Sequence, residues 1–107
     1  MKFRVQSILI AMLAVLCVTE IYGQEMRTGS YNIRYDNLSD EKNGNGWARR
    51  CPVICRLIQF HDFDILGTQE VLYGQLQDML RQLPGYSYIG VGRDDGSRSG
   101  EFAPIFY

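Results

Sequence analysis

Residues 61–71, His-Asp-Phe-Asp-Ile-Leu-Gly-Thr-Gln-Glu-Val, decide the fold class. Ile65 and Leu66 lead a short apolar segment closed by Thr68, Gln69 and Glu70, a pattern that predicts a short buried strand with a polar end. On either side the period changes to that of a helix. Upstream, Ile54, Leu57, Ile58 and His61 recur at helical spacing and predict a helix from near Trp47 to near Phe60, with Pro52 placed in a first turn that tolerates its missing N–H. Downstream, Leu72, Leu76, Met79, Leu80 and Leu83 share one face of a predicted helix over 72–83, which Pro84 and Gly85 end.

Further out, residues 26–35 carry Tyr31, Ile33 and Tyr35 at period two and predict a first strand, while the Gly- and Asn-rich residues 36–46 predict a surface loop. Residues 86–92 predict a third strand, 93–101 a turn-rich loop and 102–107 a fourth strand. Strand, helix, strand, helix, strand in that order implies an α/β fold with parallel pairing in its first part. The last two strands can form a hairpin, so the sheet is expected to be mixed. An apolar strand at the very end of the chain favours the front part of a longer domain, because domain termini generally lie at the surface in weakly structured segments.

The chain has 107 residues, 46% of them hydrophobic and 21% charged, with a formal net charge of -1. That composition is globular, and the charge gives no support to a broadly basic nucleic-acid-binding surface. Lys2 and Arg4 precede an uncharged run over 8–18, which reads as an export segment too short for a membrane span. Residues 1–23 are therefore expected to be a signal peptide, with cleavage near Gly23 or Gln24, residues 24–107 the working domain, and the product periplasmic or secreted. Val15 and Leu16 are poor lipobox residues, which disfavours lipid attachment at Cys17. Cys51 and Cys55 are too few for a disulfide scaffold.

Ligands of open α/β sheets gather beyond the C-terminal strand ends. Asn32 and Glu70 fall at such ends, and a carboxylate with a carboxamide is suitable hard-oxygen chemistry for Mg²⁺ or Mn²⁺. The plainer alternative has Asn32 satisfying a nearby backbone group and Glu70 capping or charging the helix beginning near Leu72. Arg93 offers a two-pronged phosphate contact and Asp94 or Asp95 an orienting carboxylate; the alternative there is a solvated Asp-Gly turn. Cys51, Cys55 and His61 lack the fourth ligand of a structural zinc site and the spacing of a Cys-His nucleophile. Trp47 with Arg49 and Arg50 offers a base-stacking patch, or a lid over the first helix. No P-loop, GxGxxG or HExxH motif is present.

Residues 30–37 (SYNIRYDN), Trp47 with Arg50, 64–71 (DILGTQEV), Gln75-Leu76, 83–86 (LPGY), 90–96 (GVGRDDG) and 100–107 (GEFAPIFY) occur in an order that resembles the opening portion of the endonuclease/exonuclease/phosphatase superfamily, especially its exported bacterial branch. The resemblance implies a two-sheet, four-layer α/β sandwich of which this chain is the front part. It implies hydrolysis of phosphodiesters or phosphomonoesters with Mg²⁺ or Mn²⁺, with Asn32 and Glu70 as catalytic and metal-binding residues. Arg93 and Asp94 fall in a branch motif and are the candidate substrate contacts. The superfamily's later Asp-x-Asn pair and near-terminal Asp-His pair have no counterpart in this sequence, so the chain alone is expected to be inactive and to need a C-terminal part as its partner. The competing expectation is a small exported binding or structural module without catalysis.

Overall fold

A computed structural model describes residues 1–16 and 23–107. The expected strand-helix alternation is present. After helix α1 (Lys2–Leu16) come β1 (Thr28–Asn32), α2 (Leu38–Lys42), α3 (Trp47–His61), β2 (Ile65–Gln69), α4 (Tyr73–Gln82), β3 (Tyr88–Ile89) and β4 (Ile105–Phe106). The four strands form one mixed sheet in the order β1-β2-β4-β3. β1 and β2 are parallel, with Thr28 opposite Ile65 and Asn32 opposite Gln69, and β4 runs antiparallel to both β2 and β3. α3 makes the crossover that a parallel pair requires.

The core lies on one face of this sheet. Ile54, Cys55 and Ile58 of α3 and Leu76 and Met79 of α4 meet Leu66 of β2 and Phe106 of β4, all buried. Strand alternation sends Leu66 and Phe106 inward and Ile65 and Ile105 outward, and Ile89 pairs with Ile105 on that second face. Ile65, Ile89 and Ile105 are consequently exposed.

Several local expectations are corrected. Pro52 is the sixth residue of α3, beyond the first turn, so its ring forgoes the bond to the Ala48 carbonyl; Ala48 is exposed, where water can take that bond. In the same helix Leu57 and His61 are exposed, and the buried stripe runs through Trp47, Cys51, Ile54, Cys55 and Ile58. Within the loop expected over 36–46, residues 38–42 form α2, because the Asn37 carboxamide oxygen accepts the Asp40 N–H at 2.9 Å as an N-cap. The first, third and fourth strands are shorter than their patterns suggested. β3 stops before Gly90, whose φ of 155° and close approach to Pro104 disfavour a side chain.

No described helix is long and apolar enough to cross a membrane. Most of the export segment falls in α1, whereas Cys17 and the residues just before the expected cleavage point lie outside the described residues.

Candidate active site

Asn32 ends β1 and Glu70 directly follows β2, so parallel register brings them level at the C-terminal edge of the sheet. They touch there: the Asn32 Nδ2 donates to Glu70 Oε1 at 2.9 Å. The Arg34 N–H donates to Asn32 Oδ1 at 2.9 Å, which fixes the carboxamide's orientation from both ends. An ionised carboxylate only accepts and an amide N–H only donates, so a flipped Asn32 would face two mismatches.

The backbone around this pair is unusual. Glu70 has φ 59° and Arg34 φ 61°, left-handed conformations that residues other than glycine adopt in only a few per cent of cases. Glu70 is held by backbone pairing on both sides and Arg34 by pairing of the residue before it. The Ile33 N–H donates to the Gln69 carbonyl at 3.2 Å, and Val71 exchanges two backbone hydrogen bonds with Phe102, at 3.2 and 2.6 Å. Side chains complete the hold on Arg34. Its guanidinium grips the Asp40 carboxylate, which also accepts from Asn37, and these partners keep the Asp40 pKa down at about 2.

Glu70 is not the helix cap that the plainer reading allowed. The Leu72 N–H at the start of α4 donates to Gln75 Oε1 at 3.0 Å, which leaves the Glu70 carboxylate for Asn32 and the cleft. That cleft, of about 500 Å³, is lined by Asn32, Gln69, Glu70, Arg93, Glu101 and neighbouring apolar atoms. Arg93 donates to Glu101 Oε2 at 3.0 Å and lies 3.6 Å from Asp94 Oδ1. Asp94 itself does not line the cleft; its carboxylate occupies the space beside Gly100 where a Cβ would stand. Asp95 accepts the Ser97 and Ser99 N–H groups and is a loop staple, with its pKa lowered by those bonds.

Glu101 is the cleft residue that sequence reasoning missed. The signal in the sequence was no more than its place at the far end of the same loop as Arg93, directly before an apolar stretch.

Other candidates fall to the core. Cys51 and Cys55 are buried free thiols; burial raises both, Cys55 to about 12, which suits neither a nucleophile nor a metal ligand. His61 ends α3, with its ring 5.2 Å from that of Phe60 and 5.5 Å from that of Phe63. Since α3 starts beside the site, its 15 residues carry His61 roughly 20 Å away, to the opposite end of the sheet. Trp47 is buried and donates its indole N–H to Asp78 at 2.8 Å, so the base-stacking reading is overturned. Arg50 is spent on the Ile33, Arg34 and Asn45 carbonyls, at 2.6, 3.3 and 3.0 Å.

A mixed sheet with helices packed on one face, and with two carboxamides, two carboxylates and an arginine lining a cleft, defines an α/β scaffold with a polar edge. Comparison with solved structures gives the family. A mannosyl-6-phosphatase of Bacteroides thetaiotaomicron is 55% identical with a TM-score of 0.76, the match covering 78% of this chain and 31% of that one. An endonuclease/exonuclease/phosphatase family protein of the same organism is 56% identical with a TM-score of 0.75, over 77% of this chain and 29% of that one. A third, from Bacteroides vulgatus, is 47% identical with a TM-score of 0.74, over 79% and 32%. The chain thus belongs to the endonuclease/exonuclease/phosphatase family as a partial match, spanning about 30% of the length of these relatives. No protein-family model and no curated protein matches the sequence.

Proposed function

We propose that this chain supplies the Asn32–Glu70 portion of the active site of an exported, divalent-metal-dependent phosphate-ester hydrolase and has no turnover by itself. The observation that carries the reading is the contact between the Asn32 carboxamide and the Glu70 carboxylate in an open cleft that also holds Arg93.

The donor chemistry fits Mg²⁺ or Mn²⁺. Magnesium is held by one or two carboxylates with water and substrate oxygens completing its shell. Glu70 is the carboxylate best placed to hold it, with the remaining lone pair of Asn32 Oδ1 as a second oxygen donor. When bound, the ion polarises a phosphate oxygen and stabilises the leaving oxygen. Asn32 orients Glu70 through its N–H, and Arg93, by releasing Glu101, offers a bidentate hold on a phosphate. Asp94, turned toward Gly100, supports this role by keeping the loop and Arg93 in place.

Inactivity follows from what the described residues lack at the cleft. His61 is at the wrong end of the sheet, and no group of three or more His, Cys, Asp or Glu among the described residues is arranged to hold a metal. Interdependent catalytic groups lose activity far out of proportion when some are absent. Among substrates, the relative named as a mannosyl-6-phosphatase and the net charge of -1 favour a small phosphomonoester over nucleic acid.

The test adds Mn²⁺ to isotope-labelled chain and follows paramagnetic broadening, alongside turnover of model mono- and diesters. Broadening is expected at Asn32 and Glu70, weakened in Glu70→Gln, with no turnover. Broadening that ignores the Glu70 substitution removes Glu70 from the metal site, and metal-dependent hydrolysis abolished by Glu70→Ala refutes the inactivity of the chain. Export through residues 1–23 predicts a mature N-terminus at or near Gln24, read by mass spectrometry of the exported product.

A further inference from the structure

We infer that Gln75 is a positioning residue that sets the Asn32 carboxamide, and through it Glu70, by clamping the backbone behind both. The inference rests on the reading of Asn32 and Glu70 as the site.

Gln75 lies in the first turn of α4, only 2% exposed, a burial that an amide side chain tolerates only with its hydrogen bonds made. Its two polar atoms reach in different directions. Oε1 accepts the Leu72 N–H at 3.0 Å, two residues beyond Glu70, and Nε2 donates to the Arg34 carbonyl at 3.0 Å, two residues beyond Asn32. An N–H needs an acceptor and a carbonyl needs a donor, so the amide has one permitted orientation. A single buried side chain thereby ties together the chain exits of β1 and β2.

The tie bears on the site because Arg34 is the left-handed residue whose N–H orients Asn32. A non-glycine residue stays in that conformation only where its surroundings over-determine it. Gln75 and Arg50 both donate to the Arg34 carbonyl, and Asp40 holds its guanidinium. Of these groups, Gln75 is the one that also binds the segment leading from Glu70, so it couples the height of Asn32 to that of Glu70.

Helix capping alone is the competing role, and Gln75→Glu separates the two. Above the pKa of the introduced carboxyl, a glutamate still accepts from the Leu72 N–H but has no proton to donate to the Arg34 carbonyl, so the measurement is made on the ionised form. In the labelled chain the Asn32 side-chain amide is expected to fall from an order parameter of about 0.8 to below about 0.6 in Gln75→Glu. The Leu76 amide, whose bond to the Leu72 carbonyl reports the first turn of α4, is expected to keep its exchange protection. Gln75→Met, which keeps volume and removes both bonds, is expected to loosen Asn32 equally and to lower Leu76 protection as well; it serves if the buried glutamate prevents folding. An unchanged Asn32 order parameter in either folded variant overturns the inference. Loosening of Asn32 in a chain whose wild type shows no Mn²⁺ broadening supports the positioning inference while refuting the metal reading.

Discussion

Replacing Gly92 with Ala tests how the loop that carries Arg93 and Glu101 is held. A Cβ at this position would stand 2.3 Å from the Ser99 carbonyl oxygen and 2.7 Å from its nitrogen, against ordinary contact at 3.4 Å or more. The obstacle is backbone, which no rotamer change can clear, so the two sides of the loop must part by about 1 Å. That separation strains the bonds joining them: Gly92 N–H to Ser97, Arg93 N–H to Glu101 and Asp94 N–H to Ser99, at 2.9, 3.1 and 3.1 Å. The loop is exposed, so water replaces much of what is lost, and the expected destabilisation is about 1–3 kcal/mol, the usual range for forcing extra volume into a packed site. Hydrogen exchange should quicken at the Arg93, Asp94 and Gly96 amides while Val71 and Phe102 stay protected, and urea denaturation gives the total. The matched Gly96→Ala has open space but a φ of 66°, so it is expected to cost about 1–2 kcal/mol from dihedral strain without loosening the Arg93 amide. Unchanged exchange at residues 93–96 in Gly92→Ala refutes the steric argument.

Asp40 has a folded pKa lowered to about 2, first by its bond to Arg34, so its stabilising contribution is present above about pH 4 and is lost as pH falls through 2. Thermal melts of wild type and Asp40→Asn should therefore converge over that interval, and parallel acid limbs would contradict the pairing. Gly74 is in the first turn of α4 with nothing near its missing Cβ, so Gly74→Ala is expected to stabilise by about 0.5–1 kcal/mol in urea titration. With its pKa raised to about 12, Cys55 should resist alkylation at pH 8 in the folded chain and react once denatured; equal rates would place it at the surface. Glu70→Gln keeps an acceptor for the Asn32 N–H and should shift the melting free energy by less than about 1 kcal/mol while weakening Mn²⁺ binding by roughly 10-fold or more.

The elements that bury the most apolar surface were the most legible. β2, α3 and α4 were each visible from hydrophobic period, because Leu66, Ile54, Ile58, Leu76 and Met79 are inside. α2 was not, since Leu38 is exposed and the helix is fixed by the Asn37 cap and the Arg34–Asp40 pair, neither of which leaves a periodic trace. Among the cleft residues, Asn32 and Glu70 were legible because they fall at strand ends, where α/β sheets collect ligands. Glu101 escaped because its place in the cleft depends on pairing between Val71 and Phe102, a contact across 31 residues of sequence that no local pattern announces.

The left-handed backbone of Arg34 and Glu70 was equally hidden, and it explains why the site needs so much support. A chain leaving a strand in extended conformation would carry its next side chain to alternate faces of the sheet. The turn at Glu70 instead breaks that alternation just where Val71 must return to pair with Phe102, and the carboxylate is left at the sheet edge facing Asn32. Neither position is glycine, the residue that would adopt the conformation without strain. At Glu70 the carboxylate is what a glycine would forfeit; at Arg34 it is the grip on Asp40. The strain is offset by the ladder bonds at Ile33 and Val71 and by the Gln75 clamp, all outside the cleft. Stability and the proposed chemistry are thus divided between different residues, and substitutions at Gln75 or Asp40 should disturb the cleft without touching anything bound in it.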